Sequence, residues 1–164
     1  MAEELQTARL LLRRAGMDDL NAMHRILSNP DAMRFWSSLP HESLTQTEAW
    51  LSDMIDRPTR RGNDFLVELE GQIIGKMGGW RLPEIGYLFD PATWGRGYAY
   101  EALTAFIGHR RRCGSKELTA DTDPRNIASR RLLAKAGFQE TGHAARTWLI
   151  GEEWHDSIYY RLEL

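Results

Sequence analysis

"DPATWGRGYAYEAL", residues 90–103, sets two glycines one residue apart, with an arginine between them, directly before a segment of helical period. Glycine at both positions lets a bound group approach the backbone, and a helix start beyond them offers unpaired amides to an anion. Three phosphate-binding loops compete for this stretch. A P-loop ends in Gly-Lys-Ser/Thr, which is absent. A dinucleotide fingerprint counted from Gly95 needs Gly or Ala at position 100, where Tyr100 stands. A strand, a short connection and Gly95-Arg96-Gly97-Tyr98-Ala99 opening a helix fits a pyrophosphate. Taken by itself the segment also fits a plain strand-to-helix turn that needs glycine.

Outward from the loop, the period on each side sets the fold class. Upstream, "DFLVEL", "QIIGKMGGW" and "EIGYLFD" are short apolar runs parted by Glu70-Gly71 and the Pro83 region, and they read as three antiparallel strands. Downstream, Ala99, Ala102, Leu103 and Phe106 form one helical stripe that ends in His109 and Arg110-Arg111-Arg112 before Gly114. "KELTAD" is a further strand. "NIASRRLLAKAGF" is a helix capped by Asn126 and closed by Gly137. "ARTWLIGEEWHDSIYYRLEL" reads as two strands joined near Gly151. At the start, "LQTARLLLRRA" is a first strand. "MDDLNAMHRILSN" is a helix with Pro30 at or beyond its end, and "SLTQTEAWLSDMIDR" is a helix capped by Ser43 or Thr45. The sum is seven strands and four helices, a mixed α/β (α+β) chain around a largely antiparallel sheet with one parallel pairing in its second half.

At 164 residues the chain is expected to be a single domain, 1–164. A net charge of −2 gives no bulk attraction to nucleic acid or anionic membrane, so neither is an expected partner. No apolar run nears the roughly 20 residues that span a bilayer. With one cysteine, Cys113, and no signal-peptide pattern at the start, a cytoplasmic protein is expected, as monomer or homodimer. His109 and Cys113 stand four apart on one helical face, but no further ligands follow at recognisable spacing, and no metal is expected.

The loop resembles the acetyl-CoA pyrophosphate loop of the GNAT acetyltransferases, Gln/Arg-x-x-Gly-x-Gly/Ala, over residues 94–99. Trp94 replaces the first polar residue, an exchange common in the RimJ/RimL-like branch. Four other segments resemble that branch in order: "TARLLLRRAGMDDLNAM", "NPDAMRFW", "NIASRRLLAKAGF" and "DSIYYRL", while the loop's own match extends back to Glu84. The resemblance implies a GNAT fold whose fourth and fifth strands, "EIGYLFD" and "KELTAD", splay apart. It implies a pantetheine arm on the backbones of Tyr87, Leu88 and Phe89, and a pyrophosphate on the amides of Gly95 to Ala99, with Arg96 as charge partner or as a solvated loop cation. It further implies that Asn126 touches the pantetheine arm, besides capping its helix. Ser129 would donate to the departing thiolate.

Transfer of acetyl to a primary amine needs a neutral amine, a polarised carbonyl and a proton acceptor. Direct attack requires no protein nucleophile. An amide near Leu88 or Phe89 is the expected oxyanion donor, and the resemblance implies Glu84, matching a glutamate common in this branch, as a base acting through water. His155 and Asp156 are further base candidates that a surface strand pair explains equally well. Where members acting on ribosomal proteins carry a glutamate, this chain has Trp148, which weighs against ribosomal-protein specificity. Arg110-Arg111-Arg112 is a solvated helix end or a partner for the cofactor's 3′-phosphate. Residues 29–48, with Phe35, Trp36, Pro40 and His41, would roof the acceptor cleft beside Trp80, Trp148 and Trp154, although at least half of the six tryptophans are expected in the core. The implied activity is acetyl-CoA-dependent N-acetylation of a protein N-terminus or a small amine. A non-catalytic acyl-CoA sensor and a transferase of a larger acyl group such as succinyl are the alternatives.

Overall fold

The first apolar run makes two strands, not one. The Thr7 amide donates to the Leu10 carbonyl at 2.9 Å, and the Leu10 amide donates back to Thr7 Oγ1 at 2.9 Å. This local side-chain bond closes a turn. It folds β1 (Glu4–Gln6) antiparallel onto β2 (Leu10–Arg13), with Glu4 opposite Arg13. The structure, a computed structural model, describes residues 3–57 and 63–164.

After a single 3-10 turn at Met17–Asp19 comes α1 (Leu20–Leu27), which buries Met23, Ile26 and Leu27. Pro30 begins a helix instead of ending one. The Asn29 side chain caps the Asp31 and Ala32 amides, and proline at the first helical position loses no bond. The short helix α2 (Pro30–Met33) results. Helix α3 (Leu44–Asp56) starts at Ser43, whose hydroxyl accepts from the Gln46 amide, as the cap pattern predicts.

The three-strand meander is β3 (Asn63–Leu69), β4 (Gln72–Arg81) and β5 (Glu84–Phe89). Then follow α4 (Tyr98–Arg112), β6 (Glu117–Thr122), α5 (Ile127–Lys135), β7 (Gln139–Ile150) and β8 (Glu153–Glu163). The described residues thus hold eight strands and five α-helices. The strands form one sheet in the order β1-β2-β3-β4-β5-β6-β8-β7, antiparallel except for β5 and β6. That parallel pair meets only at Glu84 and Thr119, so the two strands part along the rest of β5.

Each face of the sheet is covered. Ile85, Phe89, Phe65, Met77 and Leu118 pack with Phe106 and Leu103 of α4 and Leu133 of α5. Leu66, Ile73 and Leu88 pack on the other side with Met23, Ile26, Leu51 and Met54 of α1 and α3. Of the six tryptophans none is fully buried. Trp36 and Trp50 flank the second cluster, and Trp80, Trp94, Trp148 and Trp154 are exposed. The expectation that half would be core fails because aliphatic, phenylalanine and tyrosine side chains already fill both clusters.

Candidate active site

Where β5 and β6 part, a cleft of about 590 Å³ opens between the end of β5, the starts of α4 and α5, and the α2 segment. Its floor is the glycine loop. Gly95 and Gly97 have φ of +75° and +83°, which L side chains rarely adopt, so the loop can be built only with glycine or at a cost of about 1 kcal/mol. Gly97 is the cap residue of α4 and supplies no side chain to its amides. The first-turn N–H groups therefore keep their capacity for an anion, reinforced by the dipole of a 15-residue helix.

The cations around the cleft are not those the sequence pointed to. Arg96 does not line it; its carbonyl accepts from Arg9 Nη1 at 3.0 Å. Arg9 also bonds Glu101 through Nε at 2.7 Å and stacks over the Tyr98 ring at 4.5 Å, bracing the loop from behind. Arg110, Arg111 and Arg112 lie at the far end of α4, about 20 Å away along the helix. Arg110 is engaged there with Ser115 and Asn63. Instead Arg131 and Lys135, one turn apart on α5, line the cleft, with Arg34 across from them. They are the groups suited to a phosphate. No sequence pattern marks them, because an i, i+4 basic pair on a helix is commonplace.

Strand alternation decides which β5 groups are free. The Asp90 amide donates to the Ile74 carbonyl at 2.8 Å, and hydrogen-bonded pairs recur at every second residue of an antiparallel ladder. Leu88 is therefore bonded to Lys76 of β4, and its backbone is unavailable to a ligand. Tyr87 and Phe89 turn their backbones to the gap, the side on which Pro83 accepts from Thr119 of β6. The Phe89 carbonyl is itself taken by Trp94 Nε1 at 3.1 Å. This narrows the expected edge of Tyr87, Leu88 and Phe89 to the two Tyr87 groups and the Phe89 N–H, and of the two amides expected as oxyanion donors it leaves only that of Phe89 free.

The side chains divide by face. Tyr87 and Phe89 point to the α4/α5 layer. Leu88 points to the α1–α3 layer, and Gly86 lies against Trp36 there. On the first face the Tyr87 phenol meets Ser129 Oγ at 2.6 Å, and Asn126 Oδ1 accepts from the Ser129 amide at 3.2 Å. Loss of hydration, followed by the nearby Tyr160, raises the Tyr87 phenol well above its ordinary value, against the opposing bond from Ser129. The phenol was missed from the sequence because its partner lies 42 residues away.

Glu84 does not line the cleft. By alternation it shares the α1–α3 face with Gly86 and Leu88, at the point where the two strands join. Its side chain reaches solvent, yet the surrounding protein strips enough hydration to raise its carboxyl above the ordinary value, and the Asp121 carboxylate adds repulsion. Trp148 Nε1 donates to Asp121 Oδ2 at 3.0 Å, so Trp148 on β7 reaches across β8 to hold an acid on β6.

The remaining candidates divide between residues tied into hydrogen-bonded clusters and residues that line the cleft. His155 is buried, not a surface strand residue, with Nδ1 2.8 Å from Asp123 Oδ2 and Arg125 closing the cluster. Asp156 accepts from the Arg146 amide. His41 is buried against Thr47 at 2.8 Å, which ties the connecting segment to α3; burial, then the nearby His24, lowers its pKa. Phe35 and Trp36 do line the cleft. His109 Nε2 sits 3.0 Å from Asn63 Oδ1 and 3.1 Å from Glu3 Oε1, so its ring is held by hydrogen bonding beside Cys113.

Residues 9–139 match the GNAT acetyltransferase domain. The chain belongs to the GNAT acetyltransferase family. Its relatives include an uncharacterised N-acetyltransferase, YnaD, of Bacillus subtilis, 28% identical over 96% of this chain and 95% of that one. The [ribosomal protein uS5]-alanine N-acetyltransferase of Escherichia coli is 28% identical over 79% of this chain and 74% of its own. The crystal structure of RimL, a ribosomal L7/L12 alpha-N-protein acetyltransferase, in complex with coenzyme A superimposes with a TM-score of 0.87 at 20% identity, covering 99% and 98% of the two chains. The chain is thus an N-acetyltransferase of the GNAT fold with acetyl-CoA as donor, and the cleft fits that donor. Its glycine cradle and free helix amides suit the pyrophosphate, its basic α5 face suits a phosphate, and the parted strands suit an extended amide arm. No helix among the described residues is long and apolar enough to cross a membrane.

Proposed function

We propose that this GNAT enzyme transfers acetyl directly to a primary amine that approaches from the α1–α3 face, while acetyl-CoA occupies the cleft on the α4/α5 side. The acceptor is a protein N-terminus or a small amine. The observation that carries this reading is the pair of carboxylates, Glu84 and Asp121, at the root of the split in the sheet and on the side away from Ser129. A carboxylate pair attracts an ammonium group and, through water, accepts the proton that must leave it. The amine nitrogen bonds to the acyl carbon and the C–S bond breaks. The Phe89 N–H steadies the oxyanion, Ser129 donates a hydrogen bond to the departing sulfur, and the amine's proton passes through water to Glu84.

A thiol-release assay with acetyl-CoA against N-terminal peptides and small amines tests this. Turnover with at least one acceptor is expected; tight donor binding with no turnover on any of them would establish the sensor alternative instead. Glu84→Gln is expected to lower kcat/KM by about 100-fold. The pH profile gives the sign. Activity needs the Glu84 carboxylate, so it falls as pH drops through a pKa held above the ordinary carboxylate value by lost hydration and by Asp121. The acidic limb belonging to that group should vanish in Glu84→Gln, and a limb unchanged in the variant would remove Glu84 as base.

A further inference from the structure

We infer that Tyr87 is a positioning residue: its phenol donates to Ser129 Oγ and so turns the serine hydrogen toward the thioester sulfur. This rests on the reading that Ser129 serves the leaving thiolate. The two oxygens are 2.6 Å apart, and neither has another hydrogen-bond partner among the described residues. One hydrogen is shared between them and the other is left over, so the direction of the bond decides what Ser129 can do. If serine donated to the phenol, its only hydrogen would be spent on Tyr87, and none would remain for sulfur.

Chemistry favours the opposite direction. A phenol is the stronger acid and better donor, and an aliphatic hydroxyl is the better acceptor. Lost hydration, with the nearby Tyr160, keeps the phenol protonated throughout the working pH range, so it is a permanent donor. Ser129 itself is held in place. It is buried, at the first turn of α5, and its amide is fixed by Asn126 Oδ1. Tyr87 and Ser129 both line the cleft. With the phenol bonded to Oγ, the remaining serine hydrogen is free for the cleft, and the chain of two bonds polarises it into a stronger donor. No proton needs to leave serine. A thiol is far more acidic than an alcohol, so the sulfur leaves as thiolate under a hydrogen bond.

The test titrates the thiol of bound coenzyme A by its thiolate absorbance, a readout independent of turnover. In the wild type the bound thiol should titrate below free coenzyme A. Tyr87→Phe and Ser129→Ala should each raise that pKa by about 0.5–1 pH unit, the size expected of one hydrogen bond to a charged group, and lower kcat about 3- to 10-fold with KM for acetyl-CoA held. The double variant should match Ser129→Ala alone, because Tyr87 acts only through serine. Thermal melts confirm that both variants are folded. If Ser129→Ala moves the thiol titration and Tyr87→Phe does not, or if the two effects add, the inference about Tyr87 is overturned. If Ser129→Ala itself leaves the titration unmoved, the underlying reading of Ser129 fails instead.

Discussion

Gly97→Asp should abolish acetyl-CoA binding and leave the protein folded. Gly97 has φ of +83°, where aspartate and asparagine are the side chains least penalised. A Cβ built there meets only Arg9 Nη2, at 3.4 Å, the far end of a flexible side chain that can yield or pair with the new carboxylate. The folding penalty is therefore about 1 kcal/mol, small against a domain's total stability. Binding suffers far more. The new carboxylate sits at the N-terminus of α4, takes up the amides reserved for the pyrophosphate and repels it. Two unit charges about 4 Å apart at an effective dielectric of 20 interact by about 4 kcal/mol, nearly three decades in affinity. Gly97→Asn carries the same bulk and backbone constraint without the charge, so its affinity should fall by about tenfold or less. Calorimetric titration with acetyl-CoA, alongside a thermal melt, separates the two. Wild-type affinity in folded Gly97→Asp would sink the assignment of this loop to the pyrophosphate.

Local chemistry made much of this fold legible in the residues. Ser43 and Asn126 cap α3 and α5 as their side chains predict, and the Glu70-Gly71 turn links β3 to β4, with positive φ at both residues. The glycine loop likewise follows from two residues that must have positive φ. What escaped depends on partners far along the chain. Arg9 reaches the carbonyl of Arg96, and the Tyr87 phenol reaches Ser129, and nothing near either residue announces the bond. Pro30 was ambiguous because proline ends one helix as readily as it starts the next; the Asn29 cap decides it. In sequence the first strand looks continuous, because its apolar residues mask the Thr7 turn. Leu88 looks like its neighbours in sequence, because adjacency says nothing about which way a strand's amides alternate.

Asp64 is a side chain whose loss should cost the fold heavily, through charge and not through a cavity. It stands on β3 with a side chain 4% exposed, its Oδ2 accepting from Arg57 Nη1 at 2.6 Å. Its Oδ1 lies 2.8 Å from Nζ of Lys76, itself only 5% exposed, in a charge contact whose angles make no hydrogen bond. Asp64→Ala strands that lysine inside the sheet's α1–α3 face, 5.6 Å from the Trp36 ring, with its counter-charge gone. Arg57 fares better, because Asp53 and the Trp80 ring, 3.6 Å away, still hold it. Removing one member of a buried ion pair costs about 3–5 kcal/mol, whereas replacing both with apolar groups is often nearly neutral. Asp64→Ala is therefore expected to lose about 3–5 kcal/mol in urea unfolding and about 10 °C or more in melting temperature. The paired variant Asp64→Leu/Lys76→Met should recover most of that loss. Asp64→Ala within about 1 kcal/mol of wild type would mean that Lys76 finds water once its partner is gone, and that this face is wetter than its packing implies. The same comparison bears on the acceptor. Lys76 sits beside Trp36, a residue of the cleft, so the acetylation rate of the refolded paired variant tests whether acetylation depends on the charge beside that ring or only on the ring itself.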